Sequence, residues 1–199
     1  MPVGVPKVPF LIPSDEEASW VDLYNRLYRH RHLFITQELD EEIGNVVMGL
    51  MFYLSQEDSQ KRLLLFLNSL GGLAVTGLGV CDTMRTVPAD VYTIGLGTVA
   101  SMASFILMKG VFPKRIAFPH ARVMIHQPAS DYIRDIADNC LVESTGILRL
   151  REELVDGYSN ITGKALWIIN EDLERDTFMS AEDAQSHGIV DRVGYFYNI

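Results

Sequence analysis

Uninterrupted apolar runs alternate along this chain with segments whose apolar positions recur every three to four residues. Leu63-Leu64-Leu65-Phe66-Leu67 is a continuous hydrophobic run, the pattern of a strand buried on both faces. Val91-Tyr92-Thr93-Ile94 is β-branched and aromatic and reads as the next strand. Leu33-Phe34-Ile35-Thr36, Arg115-Ile116-Ala117-Phe118, Arg122-Val123-Met124-Ile125-His126 and Ile189-Val190-Asp191-Arg192-Val193 are further strand candidates. Between them, Ile43, Val46, Val47, Leu50, Met51 and Leu54 predict an amphipathic helix capped by Asp40. An earlier helix is expected with Ser19 as its cap, and a later one around Asp82 and Met84. The longest helical pattern carries Ile133, Ile136, Cys140, Leu141, Ile147, Leu148, Leu154, Val155 and Tyr158 on one broad face. Gly146 and Gly157 each cost that helix about 1 kcal/mol relative to alanine, so it is expected to bend or move. Gly163 ends it, and Ala165 to Asp172 forms another helix. Asp176 to Ser180 reads as a turn into a short helix capped by Ser180 and closed by Gly188. Residues 1–18 hold four prolines and an acidic Ser14-Asp15-Glu16-Glu17 run, which predicts an extended arm or loop. Strands alternating with helices imply an α/β fold with a largely parallel sheet.

Composition narrows the function classes. A length of 199 residues suits one well-buried core, and a net charge of −9 argues against binding a phosphate backbone. Cys81 and Cys140 provide neither a disulfide framework nor a metal spacing, which points to a reducing compartment. The five histidines form no H-x-x-x-H pair. The first ten residues have neither a signal-peptide core nor a transit-peptide composition.

The candidate chemistry gathers where the Val91 strand turns into a helix. Gly95, Gly97 and then Ser101 occupy that turn. A serine there lies beside unpaired backbone N–H groups and the positive end of a helix dipole, where an acyl-transfer intermediate is stabilised. The same position is that of an ordinary helix cap, and this stretch alone leaves both readings open. Gly95-Leu96-Gly97-Thr98-Val99-Ala100 also fits G-x-G-x-x-A, but no acid follows in the region of Arg115 to His120 to hold a ribose. Polar Thr93, Thr98, Ser101 and Ser104 weigh against a membrane span. Gly71-Gly72 and Ser101 both fall at carboxyl ends of strands, where ligands gather in such sheets. His126 ends another strand, and Asp176 sits in a turn. A serine nucleophile needs an imidazole to take its proton and a carboxylate to orient that imidazole. Spacing does not show that the three residues meet.

Specific motifs do carry a family resemblance. Asn68-Ser69-Leu70-Gly71-Gly72, Asp82-Thr83-Met84, Ala100-Ser101-Met102, Arg122-Val123-Met124-Ile125-His126-Gln127-Pro128, Glu174-Arg175-Asp176-Thr177-Phe178-Met179-Ser180-Ala181 and His187-Gly188-Ile189-Val190-Asp191 occur in family order. Over nearly its whole length the chain resembles ClpP, the proteolytic subunit family of the Clp protease. Met1 to Pro9, Val21 to Tyr28 and Gly163-Lys164-Ala165-Leu166-Trp167 resemble the plastid-encoded form.

The resemblance implies a serine endopeptidase with Ser101 as nucleophile, His126 as general base and Asp176 as orienting carboxylate. It also implies an oxyanion hole from the backbone N–H groups of Gly72 and Met102. The implied fold is crotonase-like α/β, with stacked parallel strands, flanking helices and a protruding handle at about residues 127–160. Residues 1–18 would be axial-loop segment and 19–199 one peptidase domain. Seven subunits, mixed with paralogues, would form each of two rings around a chamber in the chloroplast stroma. A AAA+ chaperone would feed it unfolded polypeptides. ATP would be used by that partner, and this chain would hold no cofactor or metal. Leu70 stands where the family usually has proline, so an alternative is a mainly structural ring subunit whose triad has low activity. An acyl-CoA-binding crotonase relative is disfavoured, having no use for a complete Ser–His–Asp set. His120 and His187 are expected as turn or surface residues, and Cys140 in the core or an interface.

Overall fold

Extended backbone at the proline-rich N-terminus finds a partner in sequence close by. In a computed structural model describing residues 4–11, 19–130 and 136–195, β1 (Lys7–Phe10) pairs antiparallel with β2 (Ser19–Asp22). The acidic run Ser14 to Glu17 lies outside the described residues. This pairing corrects the first helix start. Ser19 to Asp22 spend their backbone groups on the ladder, so α1 (Leu23–Arg29) begins three residues later than it would with Ser19 as its cap. Its cap is Asp22, whose carboxylate accepts from the N–H groups of Tyr24 and Asn25 at 2.8 and 3.3 Å.

The remaining elements alternate as the pattern implies: β3 (His32–Ile35), α2 (Glu41–Glu57), β4 (Leu63–Ser69), α3 (Ala74–Thr86), β5 (Val91–Ala100), α4 (Met102–Met108), β6 (Arg115–Ala117) and β7 (Arg122–Ile125). They are followed by α5 (Ala137–Thr162), α6 (Leu166–Leu173), β8 (Thr177–Ser180), α7 (Ala181–His187) and β9 (Arg192–Val193). Asp40 caps α2 as expected, accepting from the Ile43 N–H at 2.9 Å. Val47, Met51 and Leu54 turn inward, whereas Val46 is exposed.

Strands β3, β4, β5, β6 and β9 form a parallel sheet in that order. The ten-residue β5 is shared along its length. Thr93 to Gly95 pair with β6, and Thr98 to Ala100 pair with β7. Between the two halves the β4–β5 register slips, and the Asn68 carboxamide oxygen accepts the Thr98 N–H at 3.0 Å in place of a ladder bond. Gly97, at φ 61°, makes room for that side chain; a Cβ there would stand 2.6 Å from Asn68 Oδ1. The glycine pattern that fits a dinucleotide turn is therefore an irregularity inside a strand.

Alternate residues of β4 bury unequally on the two faces. Leu63, Leu65 and Leu67 belong to the main core, with Leu33, Ile35, Val80 and the whole apolar body of α4. Leu64, with Ile94 and Ile116, lines the other face among half-buried Phe66, Tyr92, Leu96 and Phe118. The predicted final strand is shorter than expected. Gly188 in the left-handed conformation turns the chain so that the Ile189 N–H bonds back to the Ala184 carbonyl. Ile189 and Val190 are buried outside the ladder, and only Arg192 and Val193 pair with β6. Helix α5 runs unbroken through Gly146 and Gly157. Most of Ala137 to Arg149 is exposed, while Leu154, Val155, Gly157 and Tyr158 pack on the body. Ile133 lies outside the described residues. Among the described residues, no helix is long and apolar enough to cross a membrane.

Candidate active site

Ser101 joins β5 to α4 at φ 55° and ψ −127°, a region that side chains other than glycine avoid. Such a conformation costs on the order of 1–3 kcal/mol and persists where its surroundings over-determine it. Here the Ser101 N–H donates to the Met124 carbonyl of β7 at 3.0 Å. Its carbonyl accepts from Ser104 Oγ at 2.6 Å and from the Ser104 and Phe105 N–H groups at 3.0 and 3.3 Å. Although Ser101 occupies the N-cap position, its hydroxyl makes no cap bond. It meets His126 Nε2 at 2.9 Å instead.

Two ladders bring these groups together. The parallel β5–β7 register pairs Ala100 with Met124, which sets the end of β7 beside Ser101. The antiparallel β7–β8 register pairs Ile125 with Thr177, so one further step places His126 opposite Asp176. His126 Nδ1 lies 3.0 Å from Asp176 Oδ1. Thr177 to Ser180 is thus a strand where the sequence reading had a turn. Four residues with Phe178 exposed and Met179 buried offer too little alternation to declare themselves. The link before β8 is held as well: Thr177 Oγ1 donates to the Asp172 carbonyl at 2.7 Å, and the Gln127 N–H to the Leu173 carbonyl at 2.9 Å.

His187 is not the turn or surface residue expected from the sequence. Its side chain is only 10% exposed, and its Nε2 lies 2.8 Å from the Asp172 carboxylate, tying the end of α7 to α6. No local pattern signals a pair fifteen residues apart that only the docking of two helices creates. His120 is exposed in a turn, as expected. Cys140 is partly buried on α5, whereas burial pushes the Cys81 thiol up to about 12, so it is no thiolate near neutral pH.

The glycine loop sits against the serine. Leu39 accepts and donates across it, its N–H bonding the Gly71 carbonyl and its carbonyl the Leu73 N–H, both at 2.8 Å. The Gly71 N–H also bonds Ser69 Oγ at 3.1 Å. Gly71, at φ 100°, presses on the nucleophile candidate: a Cβ there would lie 2.6 Å from Ser101 Cβ. Gly72, at φ 148°, would place a Cβ 2.3 Å from the Leu39 carbonyl oxygen. Met102 opens α4, so its N–H has no intrahelical acceptor. Gly72 and Met102 share with Ser101 and His126 a cavity of about 320 Å³, walled further by Phe105 and Tyr158. Tyr158 Oη and Ser104 Oγ are 2.9 Å apart at the back, and burial raises the Tyr158 phenol above its usual pKa.

A hydroxyl, an imidazole and a carboxylate bonded in series beside a helix start and a glycine loop are equipped for nucleophilic acyl transfer, the chemistry of a serine hydrolase. The sequence profile described as Clp protease matches residues 14–195. The chain belongs to the Clp protease family, whose members are serine peptidases. It is 59% identical over 193 residues to a Cucumis sativus protein, covering 97% of this chain and 99% of that one. An Acorus calamus protein is 57% identical over 194 residues, at 98% and 96% coverage, and a Spinacia oleracea protein 57% over 193 residues, at 97% and 98%. All three are named ATP-dependent Clp protease proteolytic subunit.

Proposed function

We propose that this chain is a catalytically competent endopeptidase subunit of an ATP-dependent Clp protease, with Ser101 as nucleophile, His126 as general base and Asp176 as the carboxylate that orients the base. The observation that carries this is the unbroken Oγ···Nε2 and Nδ1···Oδ1 series at 2.9 and 3.0 Å. Asp176 accepts from Nδ1–H, which leaves the Nε2 lone pair to take the serine proton. As Oγ attacks a peptide carbonyl, that proton passes to Nε2 and then to the leaving amine. Water repeats the sequence to release the acyl group. The developing oxyanion is met by the Gly72 and Met102 N–H groups at the mouth of the cavity, donors that act on the transition state. Side chains and water suffice for this reaction, so ATP serves a chaperone partner and no cofactor or metal is assigned here.

Family membership and the plant origin of the relatives support a finer picture. The chain acts in the chloroplast stroma, in a heteromeric double heptameric ring with paralogous subunits and a AAA+ unfoldase that supplies unfolded polypeptide. Residues 1–18 serve as axial segment, 19–199 as the peptidase domain, and about 127–160 as handle. The exposed first half of α5 supports the handle assignment. The structural-subunit alternative, which rests on Leu70, is not favoured. Leu70 is 73% exposed, and Gly71 after it is tied to Leu39 and Ser69 by hydrogen bonds that use no atom of Leu70.

The test is labelling by a fluorophosphonate probe in assembled particles whose other catalytic subunits are silenced. Labelling at Ser101, with peptide cleavage that Ser101→Ala reduces by up to about 10⁶ in kcat, is expected. An assembled particle that neither labels at Ser101 nor loses cleavage on that substitution overturns the assignment.

A further inference from the structure

Phe105 forms a wall of the cavity beside Ser101, and its ring is confined from several sides. Tyr158 meets it edge-on with centroids 5.3 Å apart, and the Lys109 ammonium lies 4.7 Å from its centroid. At the far edge stands Gly157 of α5. A Cβ built there would lie 2.7 Å from both Cε2 and Cζ of Phe105, and 3.5 Å from Lys109 Nζ. Side-chain carbons do not approach ring carbons that closely, so any larger residue at 157 moves the ring. The protein interior is close-packed, and the open space beside Phe105 is the cavity.

Backbone geometry does not call for this glycine. Gly157 is absent from the positive-φ glycines and lies in the body of a 26-residue helix, where alanine is the better helix former. What position 157 requires is the lack of a side chain. The remaining walls include Met102, Leu150 and Leu154, and the Tyr158 hydroxyl is engaged with Ser104. Among the described residues, none that lines the pocket is an acid, a lysine or an arginine that could pair with a charged side chain entering it.

We propose that Gly157 is a specificity-determining residue: without touching substrate, it lets the Phe105 ring lie back and so opens the pocket to a large, uncharged apolar side chain at the residue whose carbonyl Ser101 attacks. Lys109 assists by holding the ring through its π face. This rests on the assignment of Ser101 as nucleophile. It assigns a role to a residue outside the pocket rather than to the pocket itself.

The experiment compares wild type and Gly157→Ala in particles whose other catalytic subunits are silenced, on peptides differing only in Phe, Leu or Ala at that residue. In wild type, Phe and Leu are preferred. In Gly157→Ala, kcat/KM for Phe relative to Ala falls roughly tenfold or more, the scale of a misfitted methylene. Fluorophosphonate labelling of Ser101 stays at the wild-type rate. Adding Phe105→Leu to Gly157→Ala removes the displaced ring and restores preference for the larger side chain. An unchanged Phe-to-Ala ratio in a variant that still labels overturns the proposal. Wild-type particles that neither label nor cleave overturn the nucleophile assignment instead. In that case a crystal structure of Gly157→Ala decides this proposal alone. The ring displaced into the cavity supports it; the ring unmoved, or displaced elsewhere, refutes it.

Discussion

At Ser101 the helix-cap and nucleophile readings compete for one hydroxyl, and at φ 55° that hydroxyl makes no cap bond and lies against His126, which supports the proposed nucleophile. Keeping that backbone requires a neighbour with no Cβ. Gly71→Ala would set a methyl 2.6 Å from Ser101 Cβ and 2.9 Å from the Ala100 carbonyl, at a φ that alanine avoids. We expect Gly71→Ala to lower kcat by about 10²-fold, as misplacements of roughly 1 Å do. Steady-state kinetics on assembled particles check this, and a wild-type kcat would show that Gly71 does not hold Ser101 in place. Asp176 gives a second residue-scale expectation. Its side chain is 62% exposed, so in the proposed triad water would screen much of its support for the imidazolium and leave orientation as its main contribution. Asp176→Asn should then lower kcat by about 10²–10³-fold, less than the ~10⁴ seen for a buried triad carboxylate.

Four-residue strands and one-turn caps do the positioning at the element scale. β8 delivers Asp176 because it pairs with β7, and it passes directly into α7 through a capping box. Ser180 Oγ accepts the Asp183 N–H at 3.1 Å, while Asp183 accepts from Ser180 Oγ and N–H at 2.7 and 3.1 Å. Ser180→Ala is expected to cost about 1 kcal/mol, read as a lower denaturant midpoint. The Ser180 hydroxyl, and then its N–H, hold the Asp183 carboxyl below the usual carboxylate range. A folded pKa below the unfolded value of about 3.9 makes this contribution complete above about pH 4 and lost as pH falls through the folded value. The stability gap between wild type and Asp183→Asn should therefore be constant near neutrality and close below about pH 4. A gap that widens on acidification would contradict the capping box as its source.

Unburied apolar surface is the main feature at the scale of the whole molecule. Trp20, Phe52, Tyr53, Trp167 and Phe178 are exposed, as are Leu141, Val142 and Leu148 on the free half of α5. Surface of this kind belongs to a subunit that is covered on assembly. The sequence beyond Pro128, in the proposed handle, holds Asp131, Asp135 and Asp138; the first two lie outside the described residues, and Asp138 is in the first turn of α5. An isologous contact sets like against like, and acids facing their own copies repel. We expect the purified chain alone to form no stable double ring and to assemble with paralogues of complementary charge. Mass photometry at micromolar concentration, with and without those paralogues, tests this; a stable fourteen-subunit particle of this chain alone refutes it.

The alternation of apolar runs with helical spacing determined the α/β class, because burial on both faces of a parallel sheet leaves a continuous hydrophobic run such as Leu63 to Leu67. Local chemistry likewise marked Asp40 and Ser180 as caps, since a cap acts within three residues. Ser101, His126 and Asp176 were legible through motif resemblance, not through spacing. What only the tertiary structure decided depends on registers between distant segments. The β1–β2 pairing moved the first helix to Asp22, and the β7–β8 ladder turned a predicted turn into the strand that brings Asp176 to His126. The approach of α6 to α7 drew His187 largely out of solvent and onto Asp172, and α5 against α4 set Gly157 on Phe105. A ladder register or a missing Cβ has no local signature, because its energy lies in contacts between residues that the linear order keeps apart.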